Sequence, residues 1–306
     1  MKTLKIATRK SPLALWQAEH VKKQLLEAHS DLSVELVSMQ TEGDRFLDAP
    51  LIAVGGKGLF IKELEQALLE GRADIAVHSM KDVTIDLPEE LVLPVIMQRE
   101  DTRDVFISNT YKKIEDLPAA AVLGTSSLRR QSQVKALHPE IILKDLRGNV
   151  GTRLGKLDSG EYDAILLAAA GIIRLGLAER ITQLIPPSIL LPAIGQGAIG
   201  IECRAGDDVV HELIVPLNHS DTSLCVETER AFSRRLFGGC QLPIAAQAAV
   251  NGDEVELVGL IASVDGSEVI KSTLKGNIAD SNDIGTSLAE TLLQRGGDEI
   301  LKELMQ

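Results

Sequence analysis

Apolar residues recur with two alternating spacings along the first part of the chain. Runs of consecutive apolar residues are typical of buried strands, and apolar residues three or four apart are typical of amphipathic helices. The order that this pattern predicts is strand 4–8, helix 12–29, strand 34–39, helix 60–70 and strand 74–78. Ser11 followed by Pro12 is a good start signal for the first helix. The β-α-β-α-β order predicts a parallel sheet with helices on its faces.

The same order of elements starts again in the middle of the chain. It predicts strands at 104–108, 121–124, 141–144 and 163–168, with helices at 127–137 and 150–158. Two such units in series predict two doubly wound α/β domains that face each other across a cleft. Three prolines between 186 and 200 indicate a segment that returns the chain.

The pattern changes after about residue 218. A helix is predicted at 222–236, followed by alternating runs at 245–250, 255–264 and 269–274 and by helical sequence from about Asp283. Alternation favours an antiparallel sheet. The predicted fold class is therefore α/β, with two doubly wound domains and a small α+β C-terminal domain that has an antiparallel sheet.

Composition narrows the function classes. The 306 residues are 44% hydrophobic and 25% charged, which is ordinary for a globular protein. The formal net charge of −12 argues against a general nucleic-acid binder, which needs a basic face. Three scattered cysteines form neither a disulfide framework nor a CxxC metal pair. No signal peptide is recognisable and no apolar stretch is long enough to span a membrane, so we expect a soluble cytosolic protein.

Basic residues cluster where predicted strands give way to helices. Arg9-Lys10-Ser11 follows the first strand, and Thr125 to Arg130 follow a later one. The remaining basic or polar residues at such positions are Arg147, Asn149, Arg153 and Arg174. Arginine forks and free helix N–H groups bind carboxylate or phosphate, although solvated helix faces are an alternative for any single cluster. Without a Walker loop, the expected ligand is a polycarboxylate or a non-nucleotide phosphate.

A third cluster, from His78 to Asp82, lies at the end of a predicted strand. The Asp82 carboxylate beside Lys81 could bind a cationic centre or exchange a proton with a substrate amine, or could simply form a loop ion pair. We expect His78, on an apolar strand, to be a packed core histidine rather than a ligand. No His, Cys or Glu has the spacing of a metal site, and none is predicted.

Cys240 lies in a Gly-Gly-Cys-Gln turn after a helix that ends in two arginines. Glycines give a thiol access, and nearby cations favour the reactive thiolate. A small buried cysteine is the alternative, and it is the one that we expect for Cys203 and Cys225.

Seven segments of the chain together resemble the porphobilinogen deaminase family, whose members are also called hydroxymethylbilane synthases. In order, they are ATRKSPLALWQA, GGKGLFIKELE, DIAVHSMKDV, GTSSLRRQ, LRGNVGTRLGKLDSGEYDAILLA, LPAIGQGAIGIECR and GGCQLPI. The resemblance implies that four porphobilinogen molecules lose ammonia and join head to tail, and that water releases linear hydroxymethylbilane. It also implies a dipyrromethane cofactor, held as a thioether on Cys240, in a cytoplasmic monomer.

The resemblance implies roles for individual residues. Asp82 matches the catalytic aspartate, and the GGKG loop with Lys57 and Phe60 resembles a mobile flap. The cofactor-binding residues that it implies are Cys240, Lys81, Asp82, Thr125, Ser127, Arg129, Arg130, Arg147 and Gly171. The substrate-binding residues that it implies are Arg9, Ser11, Arg147, Arg153 and Arg174.

The resemblance also implies the domain boundaries. Residues 1–97 and 198–217 would form domain 1, residues 98–197 domain 2, and residues 218–306 domain 3 with the cofactor cysteine. Domains 1 and 2 would resemble periplasmic binding proteins.

Two positions depart from the family pattern. A basic residue is common where this chain has Ala53, and a proline is usual where it has Thr84. These departures affect the expected behaviour of the flap and the rigidity of the loop, not the reaction.

Three other functions fit parts of the sequence. An anion-binding receptor would explain the arginines but would give Cys240 no role. A cysteine hydrolase would need a histidine near the thiol, and His211 and His219, the nearest in sequence, lack a motif context. A regulatory binding module is the third, although nothing marks a partner surface.

Overall fold

A computed structural model of the chain describes residues 3–45, 58, 60–236 and 242–305. The chain divides into two compact units. The first unit takes its residues from 1–100 and 198–223, and the second from 101–197 and 224–306.

The elements of the described residues follow the predicted order closely. The strands are β1 (Thr3–Arg9), β2 (Ser33–Met39), β3 (Ile75–Ser79), β4 (Leu91–Ile96), β5 (Asp104–Ile107), β6 (Val122–Gly124), β7 (Ile142–Lys144), β8 (Ala164–Ala168), β9 (Gln183–Ile185), β10 (Ile199–Arg204), β11 (Ile244–Asn251), β12 (Glu254–Ala262) and β13 (Val269–Asn277). The α-helices are α1 (Pro12–Ala28), α2 (Glu42–Arg45), α3 (Lys62–Leu69), α4 (Leu128–Leu137), α5 (Val150–Asp158), α6 (Ala169–Arg174), α7 (Asp208–Ile214), α8 (Ser220–Arg235), α9 (Ser281–Leu292) and α10 (Asp298–Met305).

In the first unit, five strands form a sheet in the order β2-β1-β3-β10-β4. Leu4 and Ile6 on one face pack with α1, and Ala7 on the other face packs with α3. This sheet is therefore doubly wound, as predicted. The expected parallel arrangement holds for β1, β2 and β3 but does not extend to β10, which is antiparallel to both β3 and β4.

The second unit repeats this arrangement in its larger sheet, with the order β7-β6-β8-β5-β9. Here β6 is parallel to β7 and β8, whereas β5 is antiparallel to β8 and β9. Phe106 on one face packs with Val134 of α4, and Val105 on the other packs with Leu154 of α5. Helices on both faces bury both sides of the sheet, which explains its continuous apolar strands.

The second unit also contains the antiparallel sheet β11-β12-β13. Leu257 of β12 packs with Leu288 of α9 and Phe232 of α8. A Cβ on Gly285 would lie 2.5 Å from the Thr228 carbonyl oxygen, so α9 approaches α8 as closely as only glycine allows. The predicted fold class, with two doubly wound parts and a small antiparallel part, is confirmed.

Three strands, β4, β9 and β10, and three short helices, α2, α6 and α7, were not predicted. Strands β4, β9 and β10 are short or follow proline-rich sequence, and the pattern of single residues does not distinguish them from loop. The predicted closing helix is interrupted, because Gly296 has a φ of 104° between α9 and α10. The three-domain division stays a prediction, and each of the three sheets falls within one of the predicted domains.

Candidate active site

A pocket lies in the first unit where β1 and β3 end. Its lining includes Arg9, Ser11, Gln17, Phe60, His78 and Asp82. Because the carboxyl ends of parallel strands share one edge of a sheet, residues distant in sequence meet there. The pocket therefore brings together four residues for which the sequence predicts a role: Arg9, Ser11, Phe60 and Asp82.

Arg9 and Ser11 are positioned by the start of α1. The Ser11 hydroxyl accepts a hydrogen bond from the Ala14 N–H at 3.3 Å, which caps the helix whose first residue is Pro12. The guanidinium carbon of Arg9 lies 4.2 Å from the centre of the Phe60 ring, a cation–π contact. This contact directly joins a predicted substrate residue to a predicted flap residue.

Asp82 lies at the end of a 3₁₀ turn that follows β3, with Lys81 half-buried beside it. The turn is held by buried Met80, whose N–H donates to the Ala198 carbonyl at 3.0 Å. The half-buried Asp82 carboxylate has no hydrogen bond or ion pair with a described residue. It is therefore an acceptor that the described protein leaves unpaired.

Room for this turn depends on Gly200 of β10. A Cβ at that position would lie 2.3 Å from the Met80 sulfur. The side chain of Thr84, a departure from the family pattern, donates to the Asp86 carbonyl at 2.8 Å and so closes the loop locally.

His78 is buried, as expected, and is also hydrogen-bonded to a residue that the sequence analysis did not single out. Its Nε2 lies 2.8 Å from Oε2 of Glu202, and both side chains are almost fully buried. Glu202 is the one carboxylate in strand β10, where only Arg204 at the end is also charged, and its place inside an apolar run was the available signal. Burial raises the pKa of nearby Glu65, the Glu202 charge raises it further, and the His78 charge opposes this.

A second cluster lies in the second unit where β6, β7 and β8 end. The Ser126 hydroxyl accepts from the Leu146 N–H at 3.0 Å and donates to the Leu146 carbonyl at 3.1 Å, which ties the two loops together. Buried Thr125 accepts from the Ser127 N–H at 3.3 Å. The Ser127 hydroxyl makes no capping bond at the start of α4 and remains available.

The arginines after β7 and β8 differ in their surroundings. Arg147 is half-buried and has no hydrogen bond or ion pair with the described part of the chain. Arg153 donates from Nε to the Gly148 carbonyl at 2.7 Å, and buried Arg174 donates to the Gly197 carbonyl at 2.7 Å. Gly171 lies in α6, next to these loops in sequence.

Arg129 and Arg130 are buried and pair with Asp104 of β5. Their closest contacts to its carboxylate are both 2.7 Å. Burial alone would raise the pKa of Asp104, but the two guanidinium charges hold it well below its usual value. Nε of Arg129 is buried without a partner among the described residues. The structure therefore places most donors of these arginines on Asp104, while their predicted cofactor role stays a prediction.

The cysteines fall into two groups. Cys203 and Cys225 are buried free thiols, as expected, and burial raises the pKa of Cys203 to about 11. Cys240, Lys57 and Ala53 lie outside the described residues, and so their predicted roles are not tested by the structure.

Two features are absent among the described residues. No helix among them combines the length and apolar character needed to cross a membrane. Within the same residues, no three His, Cys, Asp or Glu side chains group as metal ligands would.

Solved structures with similar folds include several binding proteins. A periplasmic substrate-binding protein of an ABC transporter from Coxiella burnetii is 13% identical, with 74% of this chain and 96% of that chain covered and a TM-score of 0.44. The methionine-binding protein MetQ is 13% identical, with 72% and 91% covered and a TM-score of 0.46. The periplasmic VFT2 domain of BvgS from Bordetella pertussis is 14% identical, with 70% and 85% covered and a TM-score of 0.42.

Two family models match the chain in succession. Residues 4–212 match the dipyrromethane cofactor-binding domain of porphobilinogen deaminase, and residues 223–294 match the C-terminal domain of the same enzyme. The first match spans the pocket around Asp82 and the cluster around Ser127 and Arg147. The chain therefore belongs to the porphobilinogen deaminase family of tetrapyrrole biosynthesis, whose cofactor is dipyrromethane.

Proposed function

We propose that this chain is a hydroxymethylbilane synthase. It joins four porphobilinogen molecules head to tail, releases one ammonia for each, and yields linear hydroxymethylbilane after hydrolysis. The family match supports this reaction, and the observation that carries it is the unpaired carboxylate of Asp82 in a pocket that also contains Arg9.

Asp82 acts on the positive charge that develops when ammonia leaves the substrate. Loss of ammonia leaves an azafulvene cation, and a fixed carboxylate in a partly desolvated pocket stabilises it. Because no described residue already neutralises Asp82, its full charge is available to the cation. The same carboxylate can accept a pyrrole N–H and so orient the ring.

Arg9 and Ser11 suit the opposite end of the substrate. Each porphobilinogen ring carries an acetate and a propionate, so the product gains two negative charges per ring. Arg9 lies by the N-terminus of α1, where cations and helix N–H groups favour carboxylates. Its contact with Phe60 holds the guanidinium in place.

The chemistry of the available donors fits dipyrromethane, which presents carboxylates and pyrrole N–H groups. In the second unit, Ser127 and Arg147 have donors without described partners, in the loops that lead to α4 and α5. Arg153, Arg174, Thr125, Gly171 and Lys81 complete the proposed binding set. When bound through Cys240, the cofactor supplies the primer for chain growth and stays on the enzyme.

Arg129 and Arg130 have an electrostatic role in this site under our proposal. By neutralising Asp104 they keep a buried carboxylate from repelling the anionic ligand. We also propose a reducing compartment, the cytoplasm, because Cys203 and Cys225 are free thiols, and a monomer, as the family resemblance implies.

Intact mass under denaturing conditions tests the attachment. We expect an adduct of two pyrrole units on the wild-type chain and on Cys225→Ser, a matched control, and none on Cys240→Ser. Porphobilinogen is added before measurement, so that a host without it does not give a false negative. A wild-type chain that stays unmodified and releases no ammonia would contradict the proposal, and an anion-binding role would then lead.

A further inference from the structure

His78, which forms a buried pair with Glu202, lines the same pocket as Asp82. His78 lies opposite Gly200 in the β3–β10 register, and Glu202 lies opposite Ala76. The pair therefore lies on the face of the sheet that packs with α3, where Ala76 also lies. A buried pair whose histidine lines a pocket calls for an explanation beyond packing, since buried charges are rarely kept without a partner or a role.

The hydrogen bond to Glu202 involves Nε2 and leaves Nδ1 outside the pair. Where the Glu202 carboxylate accepts at 2.8 Å, Nε2 is the protonated nitrogen, and a neutral ring then carries no proton on Nδ1. Nδ1 has no hydrogen bond with a described residue, and His78 is one of the residues that line the pocket. His78 thus offers the pocket a proton acceptor whose orientation is set by Glu202, the arrangement in which a carboxylate stabilises an imidazolium.

Several charged groups face the pair. Glu202 from β10 and Glu65 from α3 face His78, and the pocket adds Asp82 and the cation Arg9. Oε1 of Glu202 is buried without a partner among the described residues, so this carboxylate has unused capacity to stabilise positive charge on the ring.

We propose that His78 is a catalytic base of chain elongation and that Glu202 is its positioning residue. This inference rests on the proposed function. Loss of ammonia leaves a reactive methylene carbon on one pyrrole ring. When this carbon bonds to the free α-carbon of a neighbouring ring, the α-carbon carries both its own hydrogen and the new C–C bond. The ring recovers its aromaticity only when that hydrogen is removed. Nδ1 of His78 takes it as a proton, and the C–H electron pair returns to the ring. The imidazolium then gives the proton to the ammonia already released, which leaves the pocket as ammonium.

Substrate deuterated at its free α-carbon tests this step. In His78→Gln, which keeps a donor toward Glu202 but no base, we expect turnover to fall about 10²–10⁴-fold. Proton loss then limits the rate, so a primary isotope effect larger than that of the wild type appears. Glu202→Gln leaves the imidazole in place and is expected to show the same isotope effect with a smaller loss.

His29→Gln is the matched control, because His29 also bonds through Nε2, at 2.8 Å to the Leu213 carbonyl, away from the pocket. It is expected to leave both turnover and isotope effect unchanged. Ring nitrogen NMR, assigned by the signal lost in His78→Gln, gives a readout without turnover. We expect Nε2 protonated and Nδ1 unprotonated in the resting wild-type enzyme.

Two results would overturn the inference: a His78→Gln enzyme without an increased isotope effect, or a neutral ring with its proton on Nδ1. Both tests use as their reference a wild-type chain that carries the two-pyrrole adduct and consumes porphobilinogen. If the wild type does neither, the proposed function fails instead, and the two failures are thereby distinguished.

Discussion

Individual carboxylates in this protein differ in their burial and in their hydrogen-bond partners. Asp104 is fully buried and accepts from two arginines, whereas half-buried Asp82 accepts from no described residue. A paired buried carboxylate stabilises the structure around it, but its charge is largely neutralised by its partners. An unpaired one in a pocket keeps its charge for a ligand, which is why Asp82 is the residue that we expect catalysis to depend on.

Asp82→Asn is therefore expected to lower turnover at least about 10²-fold while the cofactor stays attached. The amide has almost the same shape but lacks the charge that stabilises the cation. Ammonia release measures turnover, and intact mass measures cofactor loading on the same sample. Near-normal turnover in a loaded variant would show that the role assigned to Asp82 is wrong.

Helices that follow parallel strands place their N-termini at the proposed binding edges. Helices α1, α4 and α5 do this, but they are capped differently. The Asn149 side chain accepts from the Thr152 N–H at 2.9 Å at the start of α5, whereas Ser127 makes no such bond at the start of α4. An unused cap leaves a hydroxyl and nearby N–H groups for an anion.

Alanine at these two positions separates stability from binding. We expect Asn149→Ala to cost about 0.5–2 kcal/mol of unfolding free energy, because a helix N–H loses its acceptor. Ser127→Ala is expected to cost less than Asn149→Ala but to weaken cofactor loading. Urea unfolding of the cofactor-free chain measures the first effect and intact mass the second. Equal stability losses for the two variants would contradict this distinction.

At the scale of the whole molecule, the chain passes between its two units at residues 100–101, 197–198 and 223–224. In the second unit, Gln196 donates to the Thr102 carbonyl at 2.7 Å and to Asp104 at 3.0 Å. Asp104 thereby joins the first two of these passing segments to Arg129 and Arg130 of α4. Removing one charge from such a network leaves the others buried without compensation.

Asp104→Asn is accordingly expected to destabilise the protein by about 3–5 kcal/mol. In the folded protein, the pKa of Asp104 lies below its usual value of about 3.9. The stability that ionised Asp104 contributes is therefore complete above that pH and is lost as the pH falls below it. Urea unfolding between neutral pH and pH 3 measures both effects, and the variant should lose part of the acid dependence.

Asp158→Asn is the control for this prediction. Its partner Arg180 lies at 2.7 Å, but the pair is partly exposed, and the loss should stay below about 1 kcal/mol. Similar losses of unfolding free energy in the two variants would show that burial is not the reason why the Asp104 network stabilises the protein.

The candidate site shows where sequence reasoning succeeds and where it stops. Arg9, Ser11 and Asp82 could be assigned to one pocket because each follows a parallel strand, and parallel strands end at a common edge. Arg129 and Arg130 have the same kind of position, yet they face a carboxylate that precedes them by about 25 residues. Nothing in the local pattern around Asp104 identifies it as their partner, since pairing depends on which strands become neighbours.

The sequence by itself determined the order of strands and helices, the doubly wound class and the segments that carry the family resemblance. These features depend on the spacing of apolar residues, on helix-capping residues and on short motifs, all of which involve residues close together in sequence. Only the tertiary structure decided that β10 runs antiparallel to β3, and so that Glu202 meets His78 across 124 residues of chain. The same holds for the unpaired state of Asp82 and the paired state of Asp104, because partnership between distant charges follows from packing and not from local sequence.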